Sequence, residues 1–487
     1  MSSYFQPAFL TAALHFLFVL GITVQIIMRK PQTGVALAWL FLVALVPIGG
    51  VIAYLLIGNR RVNSERQRRL RKLRDGHLNF IDLAVAEGLS NVDWTKHPPA
   101  AQGMDRLGQR TAHNPTVHGS TCQMLSDTDQ IFEALITDIE AAKSSLFMEF
   151  YIWNEGGRAD DVLRTVVNAA KRGVSCRILI DALGARSWWK GDQPQTLRDA
   201  GVQVSQAWPV GIIRSFFGRT DLRMHRKIVI IDGKVAWTGS MNLVDPKYFK
   251  KSSGVGEWVD AMVRVQGTAV AQLAVISASD WLLESDETAE EIIKSGDLGI
   301  GVPNGDADIQ VVRSGPGTTG DALLQMLLAL INAATRELVI TTPYFVPDDS
   351  LLRAIRGAAG RGVNVKMILP AAVDSLMTRY ASRSYYDDLL DIGVEIHLYT
   401  AGLLHTKSIL VDNCMAMFGT VNMDMRSIWL NQEVAMFIYD KTFAAKLRDL
   451  QSSYLADSDL LNPEDWKARP TRYQLLESSF RLASPLL

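Results

Sequence analysis

Cysteine is scarce: Cys122, Cys176 and Cys414 are the only three in 487 residues. They form no Cys-x-x-Cys pair and no disulfide framework, as expected of a chain in a reducing compartment. Histidine is nearly as rare, at eight residues, and no two share a helical His-x-x-x-His spacing. No metal site is readable, and no cofactor is expected. Net charge is absent too. Fifty Lys and Arg stand against 51 Asp and Glu, leaving −1, so overall charge does not mark a nucleic-acid binder. At 48% hydrophobic and 21% charged, a chain of this length suits two or three domains.

One short pattern is there twice. His225-Arg226-Lys227 is followed by four aliphatic residues and Asp232. His405-Thr406-Lys407 is followed by four residues and Asp412. Each copy continues into a small signature, Gly239-Ser240-Met241-Asn242 and Gly419-Thr420-Val421-Asn422. The aliphatic runs predict strands buried on both faces. On one continuous strand, residues i and i+2 share a face, so His and Lys of each copy would point together. Asp232-Gly233 and Asp412-Asn413 read as hairpin turns. Each Asp is therefore open to two readings, turn residue or direct catalyst.

Other segments recur in the same order. Residues 141–151 parallel 333–343, residues 169–174 parallel 358–363, and 200–202 parallel 392–394. Helix, Gly turn and apolar strand alternate in each half, which predicts an α/β sandwich. The expected organisation is residues 1–58 as two transmembrane helices, 59–115 as a basic juxtamembrane linker, and 116–290 and 306–487 as the two repeats.

The paired motifs resemble the phospholipase D superfamily, whose members carry two such repeats. Further stretches resemble one branch, the bacterial cardiolipin synthases. They are Phe147-Met-Glu-Phe-Tyr-Ile-Trp153, Pro343-Tyr-Phe-Val-Pro347, Arg383-Ser-Tyr-Tyr-Asp387, Met423-Asp-Met-Arg-Ser427 and Ser484-Pro-Leu-Leu487. The resemblance implies two pseudo-symmetric phospholipase D-like repeats that share one site, preceded by an N-terminal transmembrane hairpin. It also implies phosphatidyl transfer between two phosphatidylglycerol molecules, giving cardiolipin and glycerol.

The N-terminus reads as membrane-like. Residues 9–28 and 34–57 are two apolar runs, each long enough to cross a hydrocarbon core of roughly 30 Å. A secretory signal fits poorly, because a basic lead-in is missing and a second run follows at once. After the second run come Arg60, Arg61, Arg66, Arg68, Arg69, Arg71, Lys72 and Arg74. The turn between the runs holds only Arg29 and Lys30. This asymmetry predicts an inner-membrane protein whose catalytic region faces the cytoplasm. The basic stretch is open to a role in holding anionic headgroups, at about 1 kcal/mol per residue, or to service as a solvated linker.

Phosphodiester chemistry explains why these residue types occur together. A neutral imidazole attacks phosphorus without like-charge repulsion. A second, protonated imidazole gives a proton to the leaving oxygen and then takes one from the incoming alcohol. Lys227 and Lys407 would neutralise the non-bridging oxygens. Asn242 and Asn422, with Ser240 and Thr420 as weaker candidates, would bind the phosphate. The superfamily likeness favours His225 as nucleophile and His405 as acid/base. Asp260 and Glu433 lie at matching places beyond the motifs. They read either as carboxylates that orient the imidazoles or as solvent-facing strand ends. The Trp208–Phe217 segment reads as a lipid-inserting loop or a buried hairpin. Rival functions are a hydrolytic phospholipase D, a nuclease and a membrane scaffold; the acceptor is phosphatidylglycerol or phosphatidylethanolamine.

Overall fold

The computed structural model describes residues 5–29, 33–46, 48–55, 66, 68–70, 73, 89–209, 221–250, 254–296, 298–299, 301–315, 321–482 and 484. Most of the basic stretch, residues 210–217 of the Trp208 segment and residues 485–487 lie outside them. The chain forms an N-terminal unit drawn mainly from residues 1–67, and a larger unit of residues 68–209 and 221–487.

In the N-terminal unit, helices Phe5–Arg29 and Thr33–Leu45 precede a short helix, Gly49–Ala53. Ile22, Ile26, Val43, Val51 and Tyr54 are buried between them. Many other apolar side chains face outward, including Phe9, Leu10, Phe16, Leu17, Phe41 and Leu45. Among the described residues no helix is long and apolar enough to cross a membrane. The second apolar run is divided. Pro47 lacks an N–H and disfavours helical backbone at Val46, and Ile48 takes φ 62°. The 13-residue helix before this break reaches only about 20 Å.

The larger unit is an α/β structure built twice. The first half contributes β1 (Val117–Leu125), β2 (Ser145–Phe150), β3 (Ser175–Asp181), β4 (Gln203–Ala207), β5 (Arg223–Met224), β6 (Ile228–Ile231), β7 (Val235–Gly239), β8 (Trp258–Val259) and β9 (Met262–Gly267). The second contributes β10 (Ala307–Arg313), β11 (Glu337–Thr341), β12 (Phe345–Val346), β13 (Asn364–Pro370), β14 (Glu395–Tyr399), β15 (Leu403–Leu404), β16 (Ser408–Val411), β17 (Met415–Gly419), β18 (Met423–Asp424), β19 (Asn431–Gln432), β20 (Val434–Tyr439) and β21 (Ser458–Leu460).

Among the described residues, fifteen of these strands form one sheet. From its centre outward, β1-β9-β7-β6-β2-β3-β4 on one side mirrors β10-β20-β17-β16-β11-β13-β14 on the other, and β21 extends the second edge. The halves join where β1 runs antiparallel to β10, with Val117 opposite Ile309. In the first half, β2, β3 and β4 are parallel, so helices such as Arg158–Lys171 must cross over between them. Each half keeps its own apolar core. Helix Ala269–Glu284 is predominantly apolar and buried along nearly its whole length, as a helix packed inside a domain should be.

One part of the expected linker is not a linker. The helix Pro99–Thr111 packs through Ala101 and Met104 on the core of the second half. At the other terminus, Ser484 Oγ lies 3.0 Å from Tyr385 Oη, so two of the family-like stretches meet.

Candidate active site

Each motif histidine is delivered by a strand of its own half paired to a strand of the other half. Strand β5 runs parallel to β19, and the His225 N–H continues that ladder by donating to Gln432 O at 2.9 Å. Strand β15 runs parallel to β8, and the His405 N–H donates to Val259 O at 2.8 Å. The continuous strand expected through His-x-Lys is not found. Residues 225–227 and 405–407 lie between two strands, one paired across the halves and one, β6 or β16, in the large sheet. At this break each lysine folds back on its own histidine. Lys227 Nζ donates to His225 O at 2.7 Å, and Lys407 Nζ donates to His405 O.

The carboxylates cross over. His225 Nδ1 lies 2.9 Å from Glu433 Oε2, and His405 Nδ1 lies 2.7 Å from Asp260 Oδ1. A carboxylate only accepts, so each Nδ1 carries the proton and each Nε2 keeps its lone pair. The glycine that opens each signature makes the approach possible. A Cβ on Gly239 would sit 2.5 Å from Ala261 O, and one on Gly419 would overlap Val434 O.

The electrostatics tie the motifs together. Burial drives His225 and His405 down to about 4, with Glu433 and Asp260 opposing the fall. Both lysines lower both imidazoles, so the four basic groups share one field. Burial also brings Lys227 and Lys407 down to about 7, against the pull of Glu433 and Asp260. Burial works against ionisation of Glu433 and Asp260 too, yet the facing imidazole and lysine hold both below the ordinary carboxylate range. At neutral pH the site thus holds neutral imidazoles and lysines that an incoming phosphate anion would charge fully.

Several expected residues have other duties. Asp232 and Asp412 sit at the far ends of β6 and β16, about 16 Å of extended strand from the lysines. Asp232 accepts from the N–H groups of Lys143, Ser144 and Ser145 at 2.9, 2.8 and 2.9 Å. Asp412 does the same for Thr335, Arg336 and Glu337 at 2.9, 2.8 and 2.8 Å. They pin the loops entering β2 and β11, from turns at φ 53° and 51° that Asp tolerates, and the direct catalytic role falls away. Ser240 and Thr420 brace the orienting strands rather than face a phosphate. Thr420 Oγ1 donates to Glu433 Oε2 at 2.5 Å, and Ser240 Oγ accepts from Ala261 N at 3.0 Å. Asn242 Oδ1 accepts from Ile152 N at 3.1 Å, which leaves its amide N–H groups to donate. Asn422 Oδ1 has no partner among the described residues.

Sequence reading missed the rest of the lining. The Tyr151 ring lies 5.1 Å from His225, Trp258 lies 4.3 Å from His405, and Tyr344 lies 6.4 Å from it. The middle residue of the first motif is not a spacer. Arg226 is buried, donates to Glu433 O at 3.0 Å and to Ser314 O at 2.6 Å, and pairs with Asp280. The signal available was an arginine set between the two motif residues, just ahead of a fully aliphatic run.

The family model "Cardiolipin synthase, PLD-like domain" matches residues 135–274 and 327–453. A second, "Phospholipase_D-nuclease N-terminal", matches residues 17–59. Proteins named cardiolipin synthase A from Yersinia pseudotuberculosis serotype O:1b (strain IP 31758) and from Yersinia pestis are each 39% identical over 473 residues, 97% of both chains. The crystal structure of phosphatidylserine synthase from Haemophilus influenzae Rd KW20 shares the fold. It gives a TM-score of 0.61 at 16% identity, covering 79% of this chain and 99% of that one. With both repeats matched and nearly the full length aligned, the chain belongs to the cardiolipin synthase family of the phospholipase D superfamily.

Proposed function

We propose that the chain transfers a phosphatidyl group from one phosphatidylglycerol to the glycerol hydroxyl of a second, releasing glycerol and forming cardiolipin. The observation that carries the reading is the crossed pair of imidazole–carboxylate contacts, 2.9 and 2.7 Å, with two buried lysines in the same field. His225 Nε2 attacks phosphorus while His405, which becomes protonated as the bound phosphate anion offsets the burial that lowers it, gives its proton to the departing glycerol oxygen. A phosphorus–nitrogen bond forms as a phosphorus–oxygen bond breaks. The acceptor hydroxyl then yields its proton to His405 Nε2 and displaces His225. Lys227, Lys407 and the Asn242 amide neutralise the non-bridging oxygens. One phosphodiester replaces another, so the exchange needs no nucleotide energy.

Mass spectrometry of lipids made by the purified full-length chain in phosphatidylglycerol vesicles tests this. Cardiolipin and glycerol in equal amounts are expected. Phosphatidic acid alone would make the protein a hydrolase instead.

The domain boundaries and membrane setting belong to the same reading. Residues 1–58 anchor the enzyme in a bacterial inner membrane as a helical hairpin whose second arm takes in both Thr33–Leu45 and Gly49–Ala53, and the two repeats act on the cytoplasmic side. The outward apolar faces of helices Phe5–Arg29 and Thr33–Leu45 and the basic residues after them support this. The chain is expected to stay in the membrane pellet after alkaline carbonate extraction; release into the supernatant would count against the anchor.

A further inference from the structure

The site is nearly symmetric, but the reaction is not: one lipid loses its headgroup and the other contributes a hydroxyl. What distinguishes them must come from residues present in one half only. Beside His405 there is such a group. Tyr344 Oη donates to Asp374 Oδ1 at 2.9 Å, and Lys250 Nζ donates to Asp374 Oδ2 at 2.8 Å. Tyr344 lies 6.4 Å from the His405 ring. Lys250 Nζ lies 5.5 Å from the ring of Trp258, which itself lies 4.3 Å from His405. The Asp374 side chain is 7% exposed and that of Lys250 is 46% exposed, so the group runs from the reactive imidazole to the surface.

Lys250 reaches across from the first half, and the first half carries neither Tyr344 nor Asp374 at the matching positions. Counted from the starts of β2 and β11, Tyr344 corresponds to Ile152; counted from β3 and β13, Asp374 corresponds to Ala185. A second difference lies alongside. Asn242 Oδ1 is satisfied by Ile152 N at 3.1 Å. Its counterpart Asn422 is 4% exposed, and its Oδ1 has no hydrogen-bond partner among the described residues. Asn422 directly precedes β18, whose Met423 pairs with Phe345 next to Tyr344. A buried oxygen without a donor is costly unless a ligand supplies one.

We infer that Asp374, Tyr344, Lys250 and Asn422 form the subsite for the acceptor headgroup, and that they select a glycerol diol on an anionic lipid. This inference rests on the transfer reading above. The diol's terminal hydroxyl gives its proton to His405 Nε2 and its oxygen bonds phosphorus. The bond from phosphorus to His225 Nε2 breaks and returns its electron pair to the ring. The neighbouring hydroxyl donates to Asp374 or to Asn422 Oδ1. Lys250 offers a positive charge to the acceptor's own, unreacting phosphate. An ammonium headgroup would instead meet Lys250 and Lys407 as like charges, with Asp374, already paired to Lys250 at 2.8 Å, as the one offsetting group of the subsite.

The test uses the full-length chain in phosphatidylglycerol vesicles, with and without phosphatidylethanolamine, and reads the ratio of cardiolipin to phosphatidic acid. In Asp374→Asn, Tyr344→Phe and Lys250→Ala the ratio should fall by about tenfold or more, as expected when a site loses one polar contact to its substrate. The apparent KM for the acceptor lipid should rise more than kcat falls. Lys250→Ala changes a half-exposed side chain and decides the matter should the buried variants misfold. An unchanged ratio, with both products falling together, overturns the inference. Failure of the unaltered chain to make any cardiolipin would instead sink the transfer reading itself, before any variant is compared.

Discussion

Cardiolipin synthesis by His225→Ala should fall by at least about 10⁴-fold, as loss of a covalent nucleophile does in other enzymes. The alanine removes the atom proposed to hold the phosphatidyl group, and nothing nearby replaces it. The Tyr151 ring at 5.1 Å carries a phenol that burial raises to about 12, far too basic to ionise at neutral pH. Lys227 is committed to His225 O. Rapid quench of the unaltered enzyme with headgroup-phosphate-labelled lipid should leave an acid-labile, alkali-stable label on the protein, and proteolysis should map it to the peptide containing His225. Label on the His405 peptide would exchange the two roles. Normal turnover by His225→Ala would end the two-imidazole scheme.

Glu433→Gln is the second large loss, expected at about 10²- to 10⁴-fold in kcat, by analogy with neutralising the acid of a catalytic triad. Glutamine keeps the shape, but an amide cannot accept on both sides. Glu433 Oε2 receives Thr420 Oγ1 and faces His225 Nδ1, while Oε1 receives Asn431 Nδ2 at 3.1 Å. Whichever way the amide turns, its NH₂ points at a donor. The pH profile separates this from simple misfolding. Glu433 raises the His225 pKa, opposing the burial that brings it to about 4. Without that charge the pKa falls further. Since the attacking ring must be neutral, the acid limb of kcat/KM should move to lower pH in Glu433→Gln. A limb that stays in place, or moves upward, would remove Glu433 from its orienting role.

How much of this was readable from the chain depended on how local each feature was. The two motifs, their turns and the ordered recurrence of segments are local patterns of alternation and turn chemistry, and the α/β alternation of each half follows from them, whereas the joining of both halves in one mirrored sheet does not. The strand break at His-x-Lys was not readable, because β5 and β15 are two residues long and leave no periodicity to detect. Asp260 and Glu433 stood out by their matching positions. Which imidazole each one faces depends on ladders that join residues 145 and 208 positions apart, and spacing cannot supply that. Asp232 and Asp412 belong to the motif by spacing yet serve the loops entering β2 and β11, since the same residue suits a left-handed turn as well as catalysis. Arg226 carries no local pattern of its own, although its contacts with Glu433 O and Ser314 O place it among the braces of the second half. At the N-terminus, length and hydropathy outweighed the one residue, Pro47, after which the second apolar helix does not continue unbroken.

The exchange of carboxylates between halves also bears on how such an enzyme is born. As the chain leaves the ribosome, His225 appears 208 residues ahead of the acid that orients it, and Asp260 waits for a histidine 145 residues further on. A nascent first half therefore has a histidine without its carboxylate and a carboxylate without its histidine. Translation beside a bilayer full of phosphodiesters exposes no competent lipid-cleaving centre until the last crossing strand has docked.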